Sequence, residues 1–276
     1  QAHEGNTTGN HNIVAGYYAA YALTSGCCNV LLGTYAGKYV TTGKNNTMIG
    51  DNINTGCGSD CMTGCGNAVI GCLTGNKLTS GNYNALFGPR AGMCLTSGIK
   101  NAFMGYYAGG NAHTTGSCNV AIGVCAGKKL EGGNKNVLLG FMAGGTISSG
   151  GGNIAIGEEA GKTITTNTNS IAIGTEALSL GNASNTIAIG HFAGANTSAS
   201  NSVYIGEYAG ICRCAYSEIA IGCYTLQGSA TVSANSGAHN VALGSEALRC
   251  ATSGGCNVAV GPYAGKRNAT GAGNVY

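Results

Sequence analysis

A single hydrophobic pattern runs along the chain. Three consecutive apolar residues follow a small polar residue, usually Asn, and end in Gly; two variable residues and Ala-Gly come next. NVLLGTYAGK (29–38), NVAIGVCAGK (119–128), NIAIGEEAGK (153–162) and NVAVGPYAGK (257–266) are four copies. With that Gly as position 0, the unit recurs fifteen times, at Gly16, 33, 50, 71, 88, 105, 123, 140, 157, 174, 190, 206, 222, 244 and 261. The gaps are 16–18 residues, apart from one of 21 and one of 22 that mark insertions near 54–66 and 226–239. A repeat of this period reads as stacked turns of a solenoid, each touching mainly its neighbours.

Positions −3 and −1 share one face of a short strand and −2 points the other way. All three are apolar in nearly every rung, and no charged residue stands between −3 and 0. A strand apolar on both sides is covered on both sides, so one face fills the coil and the other meets a second layer or another copy. The invariant Gly at 0 predicts a corner with positive φ or a close approach of stacked backbones. Ala at +3 (Ala36, Ala108, Ala160, Ala209, Ala264) fits a narrow interior, and Asn at −4 in eleven rungs predicts a column of stacked amides. Ser170, Thr186, Ser202 and Glu218 interrupt that column consecutively. The expected fold is an all-β parallel β-solenoid or β-roll of about fifteen 16–17-residue rungs. It forms a single domain over 1–276, with residues 1–11 as an N-terminal segment.

Composition changes the picture in two ways. The 276 residues include 50 Gly and only 8% charged residues, with a net charge of +3, which gives no electrostatic case for nucleic acid. No apolar run approaches the ~20 residues of a membrane span. The periodicity also absorbs the motif-like stretches. GEEAGKT (157–163) resembles a phosphate-binding loop around Lys162 but is one residue short, and equivalent slices end in Gly-Lys-Tyr and Gly-Lys-Lys. Glu158 and Glu159 are adjacent on an extended chain and point apart, so they are no acid–base pair. No catalytic set, cofactor site or metal site is expected, and the chain is read as a non-enzyme.

SIAIGTEALSLGNASNTIAIGHFAG (170–194) resembles the head repeats of trimeric autotransporter adhesins and related repeats of phage and algal-virus tail fibres. The resemblance implies a left-handed parallel β-roll, an intertwined homotrimer with the apolar strand toward the three-fold axis, and no catalytic residues. The apolar −2 face would then be the one turned to that axis.

Fourteen Cys depart from that family and point to an oxidising compartment. Cys250 with Cys256, and Cys61 with Cys65, each bound a loop and are candidate disulfides. Zinc on Cys57, Cys61 and Cys65 is the rival reading, without a convincing fourth ligand. Asn6, Asn45, Asn182, Asn196 and Asn268 open N-glycosylation sequons. His3, third from the amino end, is a weak copper(II) candidate. Tyr at +2 (Tyr18, Tyr35, Tyr107, Tyr208, Tyr224, Tyr263) could form a sugar-binding ledge or pack against a neighbouring chain. Thr/Ser pairs at −9 and −8 admit an ice-binding array, although they also suit turns.

The chain opens in the tail of a repeat and closes with Asn274, Val275 and Tyr276 at −4, −3 and −2 of a further rung, which predicts assembly through those residues, completed by residues 1–10 of the next copy. The expectation is a structural subunit of an extracellular filament or fibre, at a cell or virion surface, whose partners are copies of itself. The alternative is an adhesin head or tail-fibre segment that binds host-surface glycans.

Overall fold

The computed structural model describes residues 8–55, 61–110 and 113–276. The chain divides into two compact units, 1–139 and 140–276. The first holds eight three-residue strands: β1 (Ile13–Ala15), β2 (Val30–Leu32), β3 (Thr47–Ile49), β4 (Ala68–Ile70), β5 (Ala85–Phe87), β6 (Ala102–Met104), β7 (Val120–Ile122) and β8 (Val137–Leu139). The second holds seven: β9 (Ile154–Ile156), β10 (Ile171–Ile173), β11 (Ile187–Ile189), β12 (Val203–Ile205), β13 (Ile219–Ile221), β14 (Val241–Leu243) and β15 (Val258–Val260). Every strand is positions −3 to −1 of a rung. Within each unit consecutive strands pair in parallel and in register, one rung on the next, as the periodicity predicts for a β-solenoid. The only helical turn among the described residues is a short 3-10 segment, Val232–Ala234, inside the second insertion.

Strands this short do not persist alone. They form because most of the rung is bonded to the next. Around β2, for example, Gly33 N–H donates to Ala15 O, Tyr35 N–H to Tyr17 O and Gly37 N–H to Ile53 O. The −4 amides add a second ladder inside the coil. Asn46 donates both its backbone N–H (3.0 Å) and its side-chain amide (3.2 Å) to Asn29 Oδ1, and its amide also donates to Gly64 O at 2.9 Å. The same bonding repeats at Asn67, Asn84, Asn101 and Asn119. All of these side chains are buried, so each amide matters: an unpaired buried polar group costs about 1–3 kcal/mol.

The interior is filled by −2, +3 and +7. From β2 onward the −2 side chains are fully buried, including Leu31, Met48 and Phe103 in the first unit and Ala155, Ala172 and Tyr204 in the second. This corrects the expectation that −2 faces a three-fold axis. The −2 side chain points into its own coil, and −3 and −1 face outward, because the amide at −4 and the Ala at +3 are already inside and strand alternation carries −2 with them. In three rungs of the second unit −2 is Ala and +4 is Leu; Leu178, Leu226 and Leu248 are buried and fill the space that a larger −2 residue takes elsewhere.

The corner glycine answers to both causes read from the sequence. Gly33 has φ +129°, and a Cβ there would lie 2.3 Å from the carbonyl oxygen of Gly50 in the next rung. Gly132, by contrast, has open space around it. Gly33→Ala is therefore expected to cost about 3 kcal/mol or more, from backbone strain plus overpacking. Gly132→Ala stays within ~0.5 kcal/mol of the parent. Urea denaturation followed by far-UV circular dichroism compares the two.

Candidate functional site: an outward apolar strip

The outward positions form a strip two residues wide along each unit. In the second unit all fourteen of its side chains, at −3 and −1 of β9 to β15, are Ile, Val or Leu. In the first unit the strip is more varied, with Thr47, Ala68, Ala85 and Ala102 at −3 and Phe87 and Met104 at −1. Most of these side chains are half-buried by the rungs above and below; among those exposed, at 36–60%, are Ile189, Ile219, Ile221, Val258 and Val260 in the second unit and Met104 in the first. Single exposed apolar residues are ordinary, but a contiguous strip marks an interaction surface.

The other candidates resolve individually. The Gly157–Thr163 segment offers no anion cradle. Gly161 N–H donates to Ala177 O and Lys162 N–H to Glu159 O, while Lys162 Nζ pairs with Glu159 Oε1 at 2.8 Å. The aromatic rings at +2 stack on one another up the coil: Phe192 on Tyr208 at 5.2 Å, and Tyr208 on Tyr224 at 5.1 Å. Arg249 lies over Tyr224, Lys38 over Tyr35 and Lys266 over Tyr263. Each of these rings has at least one face occupied by a neighbouring ring or a cation, while Tyr263 remains 59% exposed. The hydroxyls at −9 (Thr24, Thr41, Thr79, Thr96) each donate to a carbonyl of the next rung. No cluster of three or more His, Cys, Asp or Glu suited to a metal occurs among the described residues. Cys57 and His3 lie outside the described residues, as does Asn6.

Cys250 and Cys256 are not joined, and neither are Cys61 and Cys65. Cys250 N–H donates forward to Lys266 O, and Cys256 N–H donates back to Ala238 O. Cys65 is held by Asn82, whose Oδ1 accepts its N–H at 2.7 Å. Of the sequon residues, Asn45 and Asn182 are exposed; Asn196 and Asn268 are half-buried, and Asn268 is bonded to Gly271 through both ends of its amide. Asn274 continues the amide ladder onto Asn257, and Val275 bridges to Val258.

One buried polar cluster escaped the sequence reading. Arg213, at the interior +7 position that Leu or Ile fills in many rungs, pairs with Glu218 at −4, and both side chains are fully buried. Arg213 Nε donates to Glu218 Oε2 at 2.9 Å, and its two terminal nitrogens reach Ala251 O and Gly237 O. Tyr204 donates its hydroxyl to Glu218 Oε2 at 3.2 Å. A charge at −4, an interior column, was the available signal, since it demands a buried counter-charge. The cluster is closed to solvent and ties the second insertion to the rungs on either side. No helix among the described residues is long and apolar enough to cross a membrane. No known protein family and no curated protein matches the chain.

Removing one partner of this pair by Arg213→Ala is expected to cost 3–5 kcal/mol, whereas the double change Arg213→Leu with Glu218→Asn restores the common rung and is neutral or stabilising. Chemical denaturation of the two variants checks this. Burial, then the charge of Glu218, raises the Tyr204 pKa above the usual tyrosine value. The folded chain therefore keeps a proton that the unfolded chain releases near pH 10. That contribution is complete below about pH 10 and is lost as pH rises further. In Tyr204→Phe the alkaline decline of the melting temperature is expected to be shallower.

Proposed function

We propose that the chain is a structural subunit of an extracellular fibre, in which copies associate side by side through the outward apolar strip. The carrying observation is the strip itself: fourteen branched aliphatic side chains in the second unit, without a polar residue among them, on the solvent side of a coil whose interior is already full. Burial of apolar surface contributes roughly 25 cal/mol per Å², and a strip of parallel rungs offers that surface in a straight line. The resemblance to trimeric adhesin and tail-fibre repeats supports the same reading. Fourteen cysteines and the exposed sequon residues Asn45 and Asn182 support an extracellular setting.

Thr47 already occupies an outward position, so the strand geometry accepts Thr there. The variant Ile171→Thr, Ile187→Thr, Ile189→Thr is expected to keep the parent's circular dichroism spectrum while its mass by multi-angle light scattering falls from an oligomer to one chain. A parent chain that remains monomeric at every concentration, or a variant that associates as well as the parent, overturns the proposal.

A further inference from the structure

The strip of the first unit has two unlike rims. Just outside the Asn corner, positions −6 and −5 carry His11, Lys44, Lys100 and Lys135 and no carboxylate. Just outside the Gly corner, +1 and +2 carry Asp51 and one cation, Arg90, whose guanidinium rests on Tyr107. Lys44 and Asp51 flank the same strand, β3, and both are exposed.

Cysteines also line the rims, and Cys27 and Cys28, both on the Asn rim of β2, face no cysteine across their strand. Two strands of this unit carry one on each rim: Cys65 (−6) and Cys72 (+1) flank β4, and Cys118 (−5) and Cys125 (+2) flank β7. All four are free thiols, with Cys72 and Cys118 exposed. Within one chain neither pair can close: the intervening strand alone spans ~10 Å, against a Cα limit of about 7 Å for a disulfide.

Rotation fixes what meets what. If copies face each other strip to strip, with axes parallel and rungs level, the +1/+2 rim of one lies against the −6/−5 rim of the next. Asp51 then meets Lys44 of the next copy, Cys72 meets its Cys65 and Cys125 its Cys118. Reversing one copy lays like rim on like rim. Reversed registers also match cysteines. One pairs Cys65 with Cys118 and Cys72 with Cys125 but sets Lys44 against Lys135, two cations. Another lays β4 on β4, pairs Cys65 and Cys72 each with its own counterpart, and leaves Cys118 and Cys125 facing β1, which carries no cysteine on either rim. Like charges in contact oppose association, and opposite charges fix register.

We propose that copies of this chain pack with axes parallel and rungs level, and that intermolecular cystines Cys65–Cys72 and Cys118–Cys125 staple them. This rests on side-by-side association through the strip. The oxidant is a low-molecular-weight disulfide such as oxidised glutathione. One cysteine thiolate attacks it and releases one thiol. The facing thiolate then displaces the second, so two cysteine thiols and one small disulfide become one cystine and two small thiols.

The test uses the full chain, an equal mixture of unlabelled and nitrogen-15-labelled copies refolded together in a glutathione redox buffer, with peptides mapped by mass spectrometry without reduction. Mixed-isotope Cys65–Cys72 and Cys118–Cys125 linkages are expected. The variant Cys72→Ser, Cys125→Ser should lose these covalent multimers on a non-reducing denaturing gel yet keep its oligomeric mass by light scattering. If an oligomer forms while these thiols stay reduced, link only within a chain, or join as Cys65–Cys118, the staple is wrong and the strip reading survives. If no oligomer forms in any condition, both fall.

Discussion

The column of buried amides is the interaction on which the structure depends. Through most of the column the Asn at −4 accepts two hydrogen bonds from the Asn of the next rung and donates to a Gly carbonyl, as at Asn29, Asn46 and Asn67. A residue bonded in this way cannot slide along the stack without leaving several buried polar groups unpaired. The column therefore sets the register, and a strand of three residues is enough because the register is set elsewhere. Where the column changes, the chain compensates: Ser170 donates its backbone N–H to Asn153 Oδ1 and its hydroxyl to Ala183 O. Glu218 needs the guanidinium of Arg213.

A narrow, self-filled interior has a direct effect on the surface. Ala at +3 and the amides at −4 leave room for one strand side chain per rung, so only −2 goes in. The two flanking residues are turned out whatever their polarity. In the second unit they are all aliphatic, which makes that strip as apolar as a core.

The period, the strand positions and the role of Gly33 and its equivalents were legible because they are local and repeated fifteen times. The direction of the strand was not. When −3, −2 and −1 are all apolar, alternation tells which residues share a face but not which face is inside, and the adhesin resemblance pointed −2 the wrong way. The neighbours decide: Ala36 at +3 and Asn29 at −4 are interior, and Leu31 follows them. The Arg213–Glu218 pair was half legible, through the charge at −4, but its partner lies in a different column of the rung. The unlike charges of the two rims were present in the residues and became visible only once the strip between them was known to face outward.

The backbone hydrogen bonds between rungs run along the coil axis, and this has a mechanical consequence. Tension along that axis loads the rungs of a unit in series, so a unit yields at its weakest interface rather than sharing the load. In the second unit the stretch from Ser170 to Ser202 has hydroxyls in place of amides, with a 3.5 Å contact between Thr186 N–H and Ser170 Oγ. That stretch is the fuse of the second unit. The buried ion pair just beyond it, reaching from Arg213 to Ala251 O, acts as a cross-tie that halts the opening before it runs through the insertion.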